Sequence, residues 1–425
     1  MAAGKNKRRA GKMSFNASWS MAVGGMIGGG IFSVLGVIID TAGQWAWLSF
    51  VIAGVIALIS AHSYSRLSVK YKESGGAYVF LRESNKKGLA ASLSWLLILG
   101  YILTVSVYAF TFGHYIAYVF NVGAWLPKVL ALGVIAFLSW INLQGVEQSS
   151  RLEIITVWGK LFILLGLALF GLLQWDTARL TENIEPRSWH TAIVGAATIF
   201  MAYEGFQLLA YDYDDIHNPE KNMPRATISA VIAVMLVYLL VTFGATMLVG
   251  PATLVAKKEV ALSIAGQQAL GLTGLVLVTI AAGFSTGSAI NATLFSTARL
   301  MEHVAAKHDL PKSLSKQNHS GIPYLAILFI AGMAALLAIV GSLATLVDAA
   351  SLIFLATFLI VNLLAFLQKV KYRFLCLAGA AGCGLAILLD VREQFYRSPI
   401  PLIILISFTM VILFAQPYIS KWIKR

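Results

Sequence analysis

The sequence predicts an all-α membrane protein with twelve transmembrane helices. Of its 425 residues, 58% are hydrophobic and only 12% are charged, whereas a soluble protein carries about 25% charged residues. The hydrophobic runs are mostly about 20 residues long, the length needed to cross a hydrocarbon core of about 30 Å. The first and sixth runs are interrupted in the middle, and paired interruptions of this kind are typical of secondary transporters.

Twelve hydrophobic runs give the predicted helices in chain order. A basic tail at 1–18 precedes them, and a second tail at 418–425 follows them. The third and eighth runs are longer than a bilayer needs, so we expect them to tilt or protrude. The predicted spans are 19–42, 45–66, 89–120, 126–144, 152–173, 190–211, 226–249, 268–301, 322–341, 344–368, 373–390 and 399–417.

The basic residues predict how the chain crosses the membrane. Most of the 32 lysine and arginine residues lie in the two tails and in the loops on the same side as the tails. Because cytoplasmic loops carry an excess of these residues, we expect a multi-pass protein of the cell membrane with both termini in the cytoplasm. Their spread over several loops, with no basic patch on one folded face, argues against nucleic-acid binding.

The interruption of the first span is a glycine run, "VGGMIGGGIF" at 23–32. One explanation is close helix packing, because glycines four residues apart let two helices approach each other. The other is an unwound segment whose free N–H groups face an anionic group of a substrate. The three consecutive glycines Gly28, Gly29 and Gly30 exceed what packing requires, so we favour the unwound segment.

The interruption of the sixth span, "FMAYEGFQ" at 200–207, contains an acid and a glycine. A carboxylate near the bilayer centre costs about 2.5–3.5 kcal/mol on insertion scales, so a functional role is the first hypothesis for Glu204. Under that hypothesis Glu204 either carries a proton or pairs with a cationic substrate. The structural alternative is a hydrogen bond between helices.

Three further polar positions lie within predicted spans. Lys160 follows Arg151 by nine residues, about 13 Å along a helix axis, so its ammonium either snorkels to the membrane surface or acts as a proton carrier or a substitute for a metal cation. In the eighth span, Ser285 and Thr286 lie close to Asn291. These side chains either line the site or bond to their own helix.

The sequence predicts neither an enzyme nor a metal or cofactor site, because it has no nucleophile–base pair and no set of metal ligands. The acidic group Asp212, Asp214 and Asp215 lacks the glycine turn and terminal glutamate of an EF-hand, and we expect it to pair with nearby basic residues. Cys376 and Cys383 share one apolar stretch. We therefore expect buried thiols, and no disulfide-linked heavy chain.

Five segments, in chain order, carry a resemblance to a known family. They are the glycine run of the first span, "YSRLSVKYKESGGAYVFLRE" at 64–83, the fifteen-residue spacing from Gly145 to Lys160, "MAYEGFQLLAYDYDDIHNPEKNMPRA" at 201–226, and "STARLMEHVAAKHDLP" at 296–311. With these segments the chain resembles amino acid permeases of the amino acid–polyamine–organocation superfamily over nearly its whole length. A single glycine motif is weak evidence, but five motifs in order on twelve spans are specific.

The resemblance implies the leucine-transporter fold and its mechanism. Residues 19–173 and 190–368 would form two inverted repeats, 373–417 would add two helices, and alternating access would centre on the first and sixth helices. Lys160 matches a lysine that occupies a sodium site in related transporters, which implies sodium independence. The implied substrate-binding residues are Gly28, Gly29, Gly30, Ala202, Tyr203, Glu204, Gly205 and Ser285.

Within that site, the resemblance implies that the Gly28–Gly30 backbone binds an amino acid's carboxylate and that the carbonyls from Ala202 to Glu204 bind its ammonium. One departure matters, because the family commonly has an apolar residue where this chain has Glu204. The leading hypothesis is a proton-coupled or exchanging amino acid transporter in the lipid bilayer. The alternatives are a carrier of amines, polyamines or inorganic cations with the same fold, and a membrane receptor that transports nothing.

Overall fold

The computed structural model describes residues 12–120, 122–145, 150–397 and 402, and within these ranges all regular elements are helices. An isolated β-bridge joins Met13 to Ile216. Apart from Leu402, the predicted twelfth span and the C-terminal tail lie outside the described residues, as do residues 1–11 of the N-terminal tail.

Thirteen α-helices follow one another in the described part of the chain. They are α1 (Phe15–Ala42), α2 (Ala46–Tyr71), α3 (Gly76–Glu83), α4 (Lys87–Phe120), α5 (Leu126–Leu143), α6 (Ser150–Leu172), α7 (Thr191–Thr198), α8 (Pro219–Val249), α9 (Pro251–Ala256), α10 (Ala261–Ala306), α11 (Tyr324–Val340), α12 (Leu343–Leu367) and α13 (Arg373–Arg397).

The described residues contain eight helical segments that are long and apolar enough to cross a membrane. One of them, Phe15–Tyr71, includes both α1 and α2, and the apolar helix α11 is slightly shorter than this length. These segments confirm the predicted all-α membrane protein. The count of twelve spans stays a prediction.

The sixth span is broken, as its sequence predicts. After α7 ends at Thr198, the chain continues as two short 3₁₀ helices, Phe200–Tyr203 and Phe206–Ala210, with Glu204 and Gly205 between them. Gly205 has φ +138°, a backbone conformation that a residue with a side chain rarely adopts. This single residue separates the two halves of the span.

Helix α10 begins earlier than its predicted span, which starts at 268. Its first turns, from Ala261, are joined to the rest of the helix across a kink at Leu270 and Gly271, where the backbone is not helical. Gly271 has φ +60°, a conformation that glycine adopts readily.

Helix α1 lies at the centre of the molecule. Its side chains are buried from Ala22 to Ile39, apart from Gly25, which is partly exposed. It packs against α6, α8, α10 and the broken sixth span. In contrast, α5 and α6 expose large apolar side chains such as Phe137 and Phe162, as expected for helices that face lipid. The glycine stretch of α1 and the break of the sixth span are therefore brought together among other helices.

Candidate functional site

A pocket of about 320 Å³, which includes space open to solvent, lies where α1 meets the break of the sixth span. Helices α1, α6 and α10 and the 3₁₀ segment after Gly205 surround it. Its lining combines two carboxylates, two hydroxyl residues and two glycines. The residues concerned are Glu153, Glu204, Ser288, Thr293, Gly24 and Gly25.

The glycine run of α1 is helical throughout. Helix α1 is continuous from Phe15 to Ala42, so the predicted unwound segment at Gly28–Gly30 is wrong for this conformation. The glycines instead permit close contacts. A side chain on Gly28 would collide with Ala289, one on Gly29 with the Tyr108 ring, and one on Gly30 with the Tyr238 hydroxyl.

The carbonyls of this stretch nevertheless carry partners from other helices. Lys160 Nζ donates to Gly24 O at 3.3 Å, and Ser285 Oγ donates to Ile27 O at 2.7 Å. Tyr238 Oη lies 2.7 Å from Met26 O. A carbonyl oxygen has two lone pairs, so each can accept a side-chain hydrogen bond while keeping its bond within the helix.

At the break of the sixth span, side chains replace the missing helical partners. Ser351 Oγ, on α12, donates to Thr198 O at 2.6 Å and accepts from Met201 N at 2.9 Å. Gln207 Oε1 accepts from Gly205 N at 2.9 Å. Because unpaired backbone groups are costly in a water-free environment, these bonds account for the stability of the irregular segment.

Glu204 is 1% exposed and accepts a hydrogen bond of 2.8 Å from Gln207 Nε2. The same nitrogen lies 3.5 Å from Tyr101 Oη, and that hydroxyl lies 3.0 Å from Tyr211 Oη. The carboxylate therefore borders the pocket on one side and a chain of polar groups on the other. This geometry allows either proton carriage or interaction with a cationic group.

Tyr238 Oη connects α1 to the break of the sixth span. Besides its contact with Met26, it lies 2.8 Å from Ala202 O, so its single hydrogen is shared between α1 and the break. The Gly25 and Gly205 backbones are also adjacent, because a Cβ built on Gly205 would lie 2.5 Å from Met26 N. The two regions that the sequence singled out are thus in direct contact.

Lys160 is 4% exposed, and its Nζ bonds to Gly24 O of α1. Two turns before it on α6 lies Glu153, which is partly exposed and acts electrostatically on Lys160. Sequence reasoning missed Glu153, although its seven-residue spacing from Lys160 places both on one helix face.

Comparison with known proteins identifies the class of molecule. A family model described as an amino acid permease matches residues 13–422. The chain belongs to this family. The inner membrane transport protein YbaT of Escherichia coli is 31% identical over 363 residues, covering 83% of this chain and 82% of the relative. The permease is also similar to the serine/threonine exchanger SteT of Bacillus subtilis, at 26% identity over 332 residues, 76% of this chain and 75% of that one.

A solved structure supports the fold of the permease. The Eremococcus coleocola manganese transporter superposes with a TM-score of 0.63, covering 96% of this chain and 93% of that one at 12% identity. The family and its relatives are transporters. This confirms the prediction that the protein is a transporter and not an enzyme. The permease is a multi-pass membrane protein.

The remaining predicted residues of the permease occupy varied positions. Tyr203 is buried and donates to Phe50 O at 2.7 Å, whereas Thr286 bonds to Ala282 of its own helix at 2.7 Å. Asn291 accepts from Asn142 Nδ2 at 2.5 Å. None of these three bonds reaches α1 or the pocket.

Neither the three aspartates at 212–215 nor the two cysteines line the pocket. Among the described residues, none of Asp212, Asp214 and Asp215 forms an ion pair within 4.0 Å, so the predicted pairing is wrong. Instead, Asp214 accepts from Ser74 Oγ at 2.9 Å. Burial raises the pKa of Asp212 to about 6, against an opposing effect of Arg299. Both cysteines are buried, free thiols, as predicted.

A second polar cluster of the permease lies between α3 and Asp309. Arg82 Nη1 pairs with Asp309 Oδ2 at 2.6 Å, and Tyr78 donates to the same oxygen at 2.7 Å. Burial and the Asp309 carboxylate raise the pKa of Tyr78. The cluster ties α3 to the loop after α10.

Proposed function

We propose that the permease moves amino acids across the cell membrane by alternating access around α1 and the broken sixth span, with 19–173 and 190–368 as inverted repeats. One observation carries this proposal, namely that side chains from α6, α8 and α10 already bind three carbonyls of the glycine stretch. If α1 opens there, these carbonyls keep a partner. Only the N–H groups lose theirs.

A substrate carboxylate supplies the acceptor that those N–H groups then need. Among the described residues, no side-chain acceptor bonds to the backbone N–H groups of Gly28, Gly29 or Gly30, whereas Met201 and Gly205 at the break each have one. Binding of a carboxylate at Gly28–Gly30 would therefore favour the unwound form of α1. The carbonyls of Ala202, Tyr203 and Glu204 are the corresponding acceptors for the substrate's ammonium.

Two cationic functions follow from the buried charges. The Lys160 ammonium, bound to Gly24 O at 3.3 Å, takes the place of a sodium ion, so transport is independent of sodium. Glu204 takes up and releases the coupled proton, because a substrate ammonium can be bound by helix-end carbonyls without a full counter-charge. The name of the relative SteT indicates exchange as the other mode of operation.

Uptake by proteoliposomes tests the proposal. The purified permease is reconstituted and given labelled amino acids and amines, with and without a pH gradient and with sodium or choline as the cation. We expect uptake of amino acids that sodium does not accelerate, competition by free amino acids, and weak competition by their amides. Lys160→Ala should abolish uptake while the protein stays folded and inserted. Sodium-dependent uptake by the wild type would contradict the role of Lys160.

The second candidate function is the transport of amines or other cations, and the buried Glu204 carboxylate favours it. Glu204→Gln separates the two functions. If Glu204 carries the proton, the variant keeps binding and exchange but loses the dependence of uptake on pH. If Glu204 pairs with a cationic substrate, binding itself weakens. Decarboxylated amines that bind as well as their parent amino acids would favour this second candidate.

The orientation and the partners belong to the same proposal. We place both termini in the cytoplasm on the basis of the basic loops. We expect the permease to act without a disulfide-linked heavy chain, since its two cysteines are both buried in α13. Labelling of single cysteines introduced at Lys12 and Arg187 with an impermeant maleimide would test the orientation, because these two positions should lie on opposite sides of the membrane.

A further inference from the structure

Glu153 is a second carboxylate at the pocket that the transport scheme leaves without a task. It lies in the first turn of α6, and it lines the same pocket as Glu204. Its Oε1 lies 3.3 Å from the position that a Cβ on Gly24 would occupy. Gly24 is also the residue whose carbonyl binds Lys160. Glu153 and Lys160 therefore meet the same point of α1 from one helix face.

The three charged residues around this point differ in their exposed fractions. Lys160 is 4% and Glu204 is 1% exposed, whereas Glu153 is partly exposed. A proton on Glu204 needs a route to solution, and the pocket that contains Glu204 also contains Glu153. A polar pocket of this kind has room for about one water molecule, and such a molecule can carry a proton between groups that do not touch.

We propose that Glu153 receives the proton that leaves Glu204 and passes it to the solution at the end of α6 where residue 150 lies. The step balances: the Glu204 carboxyl loses a proton to pocket water, the Glu153 carboxylate gains one, and Glu153 then releases it to bulk water. Glu204 is left ionised. This assignment rests on the proposed proton coupling through Glu204.

The charged surroundings of Glu153 suit a group that gains and loses a proton. Lys160 and Asp212 act on it electrostatically with opposite signs, and Glu204 lines the same pocket. Helix α1 contributes Gly24 near its carboxylate, and α10 contributes Ser288 and Thr293 to the pocket. The charged or titratable residues that α1, α8 and α10 carry besides these are Asp40, Glu220, Lys221, Arg225, Tyr238, Arg299, Glu302 and His303.

Paired transport assays on Glu153→Gln test this assignment. The variant keeps the size of the side chain and one acceptor oxygen, but it cannot carry a proton. We expect the variant to keep measurable exchange of labelled for unlabelled substrate at equal pH, and to lose the acceleration of net uptake by an inward proton gradient relative to its own uptake without a gradient. Glu153→Asp keeps a titratable carboxyl group and should restore part of that acceleration. Glu185→Gln, the same change at an exposed loop position, should behave as the wild type.

The outcomes separate this inference from the proposed function. If the wild type and Glu185→Gln respond to the gradient, Glu204→Gln does not and Glu153→Gln does, the role of Glu153 is wrong and the proton coupling stands. If the wild type shows no response, the proton coupling is wrong and the role of Glu153 with it. A Glu153→Gln variant that is monodisperse but loses exchange as well has a structural or substrate-binding role, which also overturns the inference. If Glu153→Gln does not fold, Glu153→Ser takes its place, and a full gradient response in that variant, whose side chain does not titrate, would overturn the inference.

Discussion

The glycine stretch of α1 and the break of the sixth span differ in a way that glycine content does not explain. Residues 24–30 of α1 contain five glycines and form an unbroken helix. The segment from Thr198 to Gly205 contains one glycine and leaves the helix. The comparison shows that glycine permits a helix to open but does not open it.

The difference lies in the partners of the backbone N–H groups. At the break, Met201 N and Gly205 N bond to the side-chain oxygens of Ser351 and Gln207. In the glycine stretch of α1, Lys160 and Ser285 are donors, so they bind carbonyls and leave the N–H groups of Gly28–Gly30 dependent on the helix. A helix stays closed where only its acceptors have outside partners, since each N–H would otherwise be unpaired in the membrane.

The largest effect is expected from Gly205→Ala, which attacks the break directly. The new Cβ would lie 2.5 Å from Met26 N and 2.6 Å from Gly25 C, and the residue has φ +138°. Neither backbone atom can move without shifting α1, so we expect a loss of about 3 kcal/mol or more. Thermal unfolding in detergent and uptake would both show it. A variant with wild-type stability would mean that the break can close.

Gly29→Ala tests the closed region in the same way, with a smaller expected effect. The added methyl group collides with the ring of Tyr108, which costs about 1–3 kcal/mol in a packed core. Alanine's higher helix propensity offsets about 1 kcal/mol of this. Gly166→Ala on α6 is the matched control, because its Cβ would meet nothing within 4 Å. Equal melting temperatures for the two variants would contradict the close packing of α1.

How far the sequence predicts this molecule follows from the same comparison. Hydrophobic length suffices for the helical membrane fold, and the Glu204–Gly205 step correctly marks the break. Glycine spacing alone could not distinguish packing from unwinding in α1, because the decision depends on acceptors that come from distant parts of the chain. Ser351 lies 150 residues from the N–H group it binds.

Sequence reasoning missed some site residues for the same reason. Tyr238 and Ser351 are ordinary polar residues in apolar helices, and only their contacts with Ala202 and Met201 give them a role. Glu153 carried a readable signal, because an acid two turns before a buried lysine shares its helix face. Asp212 shows the reverse error, since proximity in sequence to basic residues did not produce an ion pair.

Ser351→Ala and Ser285→Ala together sharpen the comparison at a smaller energy scale. Removing Ser351 Oγ leaves Met201 N and Thr198 O without these bonds, which costs about 1–3 kcal/mol for a buried group left unpaired. Removing Ser285 Oγ costs about 0.5–1.5 kcal/mol, because Ile27 O keeps its partner within α1. We therefore expect the melting temperature to fall further for Ser351→Ala. A larger loss for Ser285→Ala would show that side chains, and not the helix bonds, stabilise the closed α1.

The smallest effect is expected from Tyr108→Phe, which separates the ring that packs on Gly29 from its hydroxyl. The side chain is 1% exposed, and its hydroxyl has no hydrogen-bond partner among the described residues. Phenylalanine keeps the ring contact that holds α1 closed and removes a buried polar group that gains nothing there. We expect the melting temperature to stay the same or to rise slightly, in contrast to Gly29→Ala at the other side of the same contact. A clear fall in stability would show that the hydroxyl, rather than the ring, supports the glycine stretch, and the account of α1 as a helix closed by packing and its own N–H bonds would then need a further polar partner.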